Sequence, residues 1–130
     1  MIRPPGLYDP AARGYSHAVK SGKTVYIAGQ LAVEVKGSKQ TVIGAGDVAV
    51  QARRIFANME TIVKSAGGEL RDVVEMTVFL KDIKDLPRFL EVRKEIFKRE
   101  FPASTAVQVV AFAVPEGLVE VNAVAIVGSG

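Results

Sequence analysis

The sequence contains no cysteine and no tryptophan, and it has a single histidine, His17. The absence of cysteine excludes disulfides, thiolate catalysis and cysteine-based metal sites. One histidine cannot build a histidine-rich zinc site, so no metal is expected. The longest uncharged stretch, residues 101–115, is too short to cross a membrane, and the first ten residues lack the apolar segment of a signal peptide. We therefore expect a cytoplasmic protein that contacts no membrane.

The remaining composition is typical of one globular domain. Of the 130 residues, 48% are hydrophobic and 24% are charged. No repeat, low-complexity segment or linker divides the chain, so residues 1–130 are predicted to form a single domain. The net charge of +3 is spread along the chain. It favours solubility and does not by itself indicate nucleic-acid binding.

Two segments have the apolar spacing of amphipathic helices. The first runs from about Asp47 to Ala66, with Asp47 as its N-cap and Gly67-Gly68 as a left-handed stop. The second runs from about Asp85 to Glu100, and Arg93 lies in the middle of its apolar stripe. Helices of this kind bury one face against a sheet.

Strand patterns surround these helices. The last two predicted strands are joined by a turn at residues 115–117 and are nearly apolar on both faces, so both faces should be covered. The element order β-β-(β)-α-β-α-β-β predicts an α+β fold with two helices on one sheet face, and the apolar opposite face predicts an oligomer interface. The predicted strands are Ser16–Val19, Thr24–Ala28, Gln30–Val35, Gln40–Ile43, Asp72–Lys81, Thr105–Val114 and Leu118–Val127.

An ordered series of short motifs covers nearly the whole chain and is similar to one protein family. The chain resembles the RidA/YjgF (reactive intermediate deaminase) family, also labelled the L-PSP endoribonuclease family. The motifs are Gly14-Tyr15-Ser16-His17-Ala18-Val19, Ala28-Gly29-Gln30, Gln51 to Asn58, Ala66-Gly67, Val78-Phe79-Leu80-Lys81-Asp82, Phe101-Pro102-Ala103 and Val119-Glu120-Val121-Asn122-Ala123-Val124-Ala125.

The resemblance implies a chorismate-mutase-like fold with one mixed sheet, and a homotrimer with ligand clefts between subunits. It also implies cofactor-free hydrolysis of an enamine or imine, such as 2-aminoacrylate, to a keto acid and ammonia. In such families the arginine of a P-A-R-S motif binds the substrate carboxylate, because a guanidinium matches a carboxylate bidentately. A late glutamate, here Glu120, positions the attacking water.

The chain departs from the family pattern at the substrate contacts. Ser104 stands where the P-A-R-S arginine is expected, Ala28 replaces a serine, and Leu90 falls near a common asparagine. A serine supplies no charge, and loss of such a charge-assisted contact costs about 1.5–3 kcal/mol of binding. The deaminase activity is therefore less directly implied than the fold.

The candidate site residues each have a functional and a structural interpretation. Glu120 either orients water or is a rim carboxylate paired across the trimer. Arg93 either takes over the anion-binding role that Ser104 cannot perform or packs its stem on the helix with its head in water.

Four further residues are candidates for substrate binding, and His17 is a candidate base. Tyr15 either closes the cleft or caps the first strand, and Gly29 enters through the Ala28-Gly29-Gln30 motif. Ser104 and Thr105 are both expected to hydrogen-bond a ligand, although Thr105 also simply suits a strand. His17 either acts as a base or is a hydrogen-bonded structural histidine.

Three functions remain open at this stage. The first is a deaminase-type enzyme acting on a small molecule. The second is a metabolite-binding trimer without chemistry. The third is an endoribonuclease or translation inhibitor, a label that the family carries, although the sequence lacks both a histidine pair and an aromatic-plus-basic RNA platform.

Overall fold

A computed structural model describes residues 2–98 and 100–130 of the chain. The described elements are seven strands, two α-helices and three short 3₁₀ turns. Their bounds are β1 (Ala18–Ser21), β2 (Thr24–Gln30), β3 (Val33–Lys36), β4 (Lys39–Val42), α1 (Val48–Ser65), β5 (Val73–Leu80), α2 (Leu86–Phe97), β6 (Ala103–Gln108) and β7 (Val119–Ile126), with 3₁₀ turns at Pro10–Arg13, Leu70–Asp72 and Ile83–Asp85.

Five of the strands form a mixed sheet in the order β1-β2-β7-β5-β6. Only the β5–β6 pair is parallel, because the chain returns through α2 in a β-α-β crossover. Both helices pack on one face of this sheet, where alternate residues of β5 and β7 are fully buried. The predicted α+β fold, with two helices on one face of a mixed sheet, is confirmed.

Helix α1 begins and ends where its local sequence predicts. The Asp47 carboxylate accepts hydrogen bonds from the amides of Ala49 (3.0 Å) and Val50 (3.2 Å). At the other end Gly67 has φ +90°, the left-handed conformation that suits glycine. Helix α2 ends at Phe97, three residues before the predicted Glu100, and the predicted span includes Arg99, which lies outside the described residues.

The predicted hairpin of strands Thr105–Val114 and Leu118–Val127 is wrong. Strand β6 covers Ala103–Gln108 and pairs only with β5, whereas β7 lies between β2 and β5. After the Val109 amide donates to the Leu80 carbonyl (2.8 Å), the chain leaves the sheet and crosses back to β7. Strand β6 is therefore an edge strand and is exposed at most positions, contrary to the expectation that both its faces are covered.

The prediction of one continuous strand over Gln30–Val35 is also wrong. Strand β2 ends at Gln30, and Val33 begins β3, which pairs with β4 in a separate two-stranded sheet. Strand β1 begins two residues after the predicted Ser16. Its hairpin turn to β2 lies at Gly22, which has φ +61°, between the two predicted strands.

Two buried polar side chains connect distant segments to the core. Gln51, which is 0% exposed, accepts from the Leu118 amide (2.8 Å) and donates to the carbonyls of Gly44 (3.1 Å) and Glu116 (3.3 Å). It thereby fixes the segment that leads into β7. Asp72, also buried, accepts from the amides of Glu69 and Gly130, each at 2.9 Å.

The sheet face opposite the helices is uncovered in the single chain. Tyr26 on β2 is 54% exposed and Val19 on β1 is 49% exposed, and Ile126 and Val107 are also exposed. An apolar surface of this kind is typical of a protein–protein interface. No helix among residues 2–98 and 100–130 is both long and apolar enough to cross a membrane.

Candidate active site

A cavity of about 330 Å³ lies beside Glu120, near the start of β7. It is at the lower end of the range typical of small-ligand sites. The sequence-predicted residues Tyr15, Gly29 and Glu120 line it together, with Tyr8 and Arg13 from the N-terminal segment. The cavity therefore joins residues that are more than one hundred positions apart in the chain.

The Glu120 carboxyl group lies directly against the backbone of Gly29. A Cβ atom at Gly29 would lie 2.9 Å from Glu120 Cδ, closer than real Cβ contacts, and 3.0 Å from Oε2. The Glu120 carboxyl group can therefore occupy this position only because residue 29 has no side chain. Burial raises the pKa of Glu120 above its ordinary value, because desolvation disfavours the charged form.

Tyr8 and Tyr15 form the aromatic wall of the cavity. Their hydroxyl groups are hydrogen-bonded to each other. Burial, followed by the hydrogen bond with Tyr15, raises the pKa of Tyr8 above its ordinary value. The Tyr8 phenol consequently stays protonated near neutral pH, and one of the two hydroxyl groups donates to the other.

His17 holds the Tyr8 segment in place from beneath. It is 2% exposed, its Nε2 donates to the Tyr8 carbonyl (2.7 Å), and its Nδ1 accepts from Gln30 Nε2 (3.3 Å). The rings of His17 and Tyr8 also meet edge to face at 4.8 Å. The histidine is hydrogen-bonded and buried, which agrees with the structural interpretation rather than with that of a base in the cavity.

Arg93 and Ser104 form a second cluster on the far side of the sheet. Arg93 Nη1 donates to Ser104 Oγ at 2.5 Å. The guanidinium also lies over the ring of Phe89, 5.5 Å from its centroid. Burial lowers the pKa of Arg93 from its ordinary value, but an arginine remains charged at neutral pH. A cation therefore stands beside the serine that replaces the expected arginine.

The two clusters are separated within one chain. Ser104 is paired with Met76 of β5, and Glu120 is paired with Phe79 of the same strand. Met76 and Phe79 are three residues apart, which is about 10 Å along the strand. Strands β6 and β7 lie on either side of β5, which separates them by about 10 Å across the sheet. Ser104 also shares the helix-covered face with the buried Met76, whereas Glu120 points to the opposite face, as does Thr105. A small ligand cannot touch Arg93 and Glu120 of the same chain.

The sequence pattern did not reveal Tyr8 and Arg13 as cavity residues. The sequence around these two residues indicates only a short turn. The turn Pro10–Arg13 has Asp9 as its N-cap and Pro10 at its first position, and Gly14 (φ +80°) follows it. Nothing in this local sequence indicates that the turn packs beside Glu120. No three potential metal-ligating side chains cluster within the part of the chain that the structure describes.

Comparison with known proteins places this architecture in one family. The family model described as Endoribonuclease L-PSP matches residues 8–127. The human protein named 2-iminobutanoate/2-iminopropanoate deaminase is 42% identical over 125 residues, covering 95% of this chain and 85% of the human protein. A RutC family protein of Pyrococcus horikoshii is 37% identical over 111 residues, covering 85% of each chain.

A solved structure agrees with these sequence relatives. RidA from the Antarctic bacterium Psychrobacter sp. has a TM-score of 0.80 to this chain at 34% identity, with coverage of 97% of this chain and 98% of the other. The likeness extends over the sheet, both helices and the segments that line the cavity. The resemblance seen in the sequence motifs is thus confirmed, and the chain belongs to the L-PSP family, whose members include proteins named RidA and 2-iminobutanoate/2-iminopropanoate deaminase.

Proposed function

We propose that this protein is a cofactor-free deaminase of small imino acids, acting in clefts between the subunits of a homotrimer. The hydrogen bond from Arg93 to Ser104 carries the proposal, since it puts a guanidinium beside the position where the family's carboxylate-binding arginine is expected. The human relative named as an imine deaminase supports the same reaction class.

The separation of the two clusters supports a shared site. In one chain Arg93 and Glu120 lie on opposite sides of the sheet, so a substrate that needs both must bind where two chains meet. The exposed apolar face, with Tyr26 and Val19, is suited to such an association. Arg93 contacts Ser104 on the exposed edge strand β6, which borders that face. We therefore assign Arg93 of one subunit and Glu120 of its neighbour to the same cleft.

In the proposed reaction, water adds to the imine carbon. The Glu120 carboxylate accepts a proton from that water as the new C–O bond forms, and it passes this proton to the nitrogen as the C=N bond becomes single. The hydroxyl proton of the adduct reaches the nitrogen by the same route. The C–N bond then breaks as the C=O bond forms, which releases one keto acid and one ammonia for each water consumed. Arg93 binds the substrate carboxylate, and Tyr15 donates a hydrogen bond from the cavity wall.

The test follows the disappearance of 2-iminobutanoate or 2-aminoacrylate, generated in place, against its spontaneous hydrolysis. Wild type should accelerate the reaction, and Glu120→Gln should abolish the acceleration. Arg93→Ala should lower kcat/KM by about 10- to 100-fold through loss of a charge-assisted contact, with partial recovery in Arg93→Lys. Arg88→Ala is the matched control, because Arg88 lies on the same helix and is exposed, paired with Glu91.

A subunit-mixing experiment tests the shared cleft. Neither Arg93→Ala nor Glu120→Gln trimers contain an intact cleft, but randomly mixed trimers contain both wild-type side chains in about a quarter of their clefts. Recovery of activity toward that fraction supports the assignment, and no recovery contradicts it. If the wild-type protein does not accelerate hydrolysis of any imine, the deaminase proposal fails and the metabolite-binding alternative is favoured. The endoribonuclease alternative has no comparable support among the described residues, since the sole histidine, His17, is buried in a hydrogen-bonded network.

A further inference from the structure

Arg13 is an exposed residue that lines the Glu120 cavity from a short turn with a fixed backbone. It is the last residue of the 3₁₀ turn Pro10–Arg13, whose first amide, from Ala11, donates to the Asp9 side chain at 3.0 Å. Gly14 follows with φ +80°, and its amide closes the turn on the Ala11 carbonyl at 3.0 Å. A turn capped at both ends fixes the backbone from which the guanidinium extends.

The Arg13 guanidinium makes no ion pair with any described residue. Its Cζ lies 5.6 Å from the centroid of the Tyr8 ring, over its face. The ring in turn is fixed by His17 and by the hydroxyl of Tyr15. An arginine that is positioned in this way and not neutralised is suited to bind an anion.

The proposed reaction assigns no role to the Arg13 guanidinium. If Arg93 of a neighbouring subunit binds the carboxylate next to the imine and Glu120 activates water, the substrate side chain extends into the cavity toward Tyr8 and Arg13. The cavity of about 330 Å³ is larger than a three- or four-carbon imino acid requires. An apolar side chain would leave the exposed guanidinium in contact with water only, whereas a carboxylate at its end would pair with it.

We infer that Arg13 is a specificity-determining residue that binds a second carboxylate, so that the preferred substrates are dicarboxylic imino acids of the kind formed by oxidation of acidic amino acids. This inference rests on the proposed deaminase function. It adds the substrate class to that function and assigns a role to a residue outside the family motifs quoted above.

The test compares kcat/KM for the imino acids derived from glutamate and from 2-aminobutyrate. Wild type should prefer the dicarboxylate, and Arg13→Ala should lower the ratio of the two values by about 10- to 100-fold, as expected for loss of a charge-assisted contact. Arg13→Lys should recover part of the ratio, because it keeps the charge. Arg88→Ala should leave the ratio unchanged. A ratio unaltered in Arg13→Ala, or an equal fall for both substrates, overturns the inference.

A binding measurement separates failure of this inference from failure of the proposed function. Calorimetry with the stable keto acids 2-oxopentanedioate and 2-oxobutanoate requires no turnover. If no imine is hydrolysed, the deaminase proposal fails on its own. The assignment of Arg13 to a second carboxylate is then still supported if wild type binds 2-oxopentanedioate at least tenfold more tightly than Arg13→Ala does. It is overturned if the two proteins bind this keto acid equally.

Discussion

Replacement of Gly29 by alanine should impair chemistry far more than stability. The backbone at Gly29 is not left-handed, so alanine can adopt its conformation without strain. The new Cβ would, however, lie 2.9 Å from Glu120 Cδ, and the carboxyl group must retreat to an ordinary contact distance of 3.4 Å or more. A displacement of about half an ångström therefore falls directly on the group assigned to activate water.

The magnitudes of the two effects differ. A misplacement of about 1 Å can cost about 100-fold in rate, so we expect kcat to fall by about 10- to 100-fold. For stability, the restricted unfolded chain contributes about 0.4–1 kcal/mol in favour of folding. Crowding of the new methyl group against Glu120 typically lowers the free energy of unfolding by about 1–3 kcal/mol. The loss should be smaller here, because the crowded atoms are at the end of the flexible Glu120 side chain. The free energy of unfolding should change by less than about 2 kcal/mol.

The assay pairs imine turnover with thermal unfolding in a double-mutant cycle. Gly29→Ala and Glu120→Ala should be coupled in stability by about 0.5–3 kcal/mol, since the methyl group added at position 29 no longer meets a carboxyl group once Glu120 is truncated. In Gly29→Ala alone, wild-type kcat would refute the reasoning, because the position of the carboxyl group would then be unimportant. A loss of fold in that variant would refute the steric account as well.

Three further predictions concern stability. Gln51→Ala should lower the free energy of unfolding, measured in urea, by about 1–3 kcal/mol, because it leaves the partly buried Leu118 amide without its acceptor. Asp72→Asn should destabilise the protein at neutral pH. Burial raises the Asp72 pKa, but backbone hydrogen bonds outweigh it and lower the pKa overall. The destabilisation should therefore disappear as pH falls below about 3.9 toward the lower folded-state value. Glu120→Gln should raise Tm at neutral pH, because burial raises the Glu120 pKa, and the gain should vanish below about pH 4.3.

Elements whose signals are local were predicted well from the sequence. Helix α1 begins after Asp47 and stops before Gly67 because its caps and apolar spacing lie within one continuous segment. The motif resemblance brought Glu120, Gly29 and Tyr15 forward as candidates, and the structure places all three in one cavity. Strand β6 could not be placed in this way, because an apolar run does not state which neighbour it pairs with.

The amino-acid sequence by itself determined the fold class, the family and the presence of a carboxylate among apolar residues of the last strand. Only the tertiary structure decided that β7 enters between β2 and β5, that Arg93 contacts Ser104, and that Tyr8 and Arg13 lie beside Glu120. The physical reason is the range of the interactions. Caps and periodicity act within a few residues, whereas strand order and the cavity wall depend on contacts between segments whose separation along the chain carries no local signal.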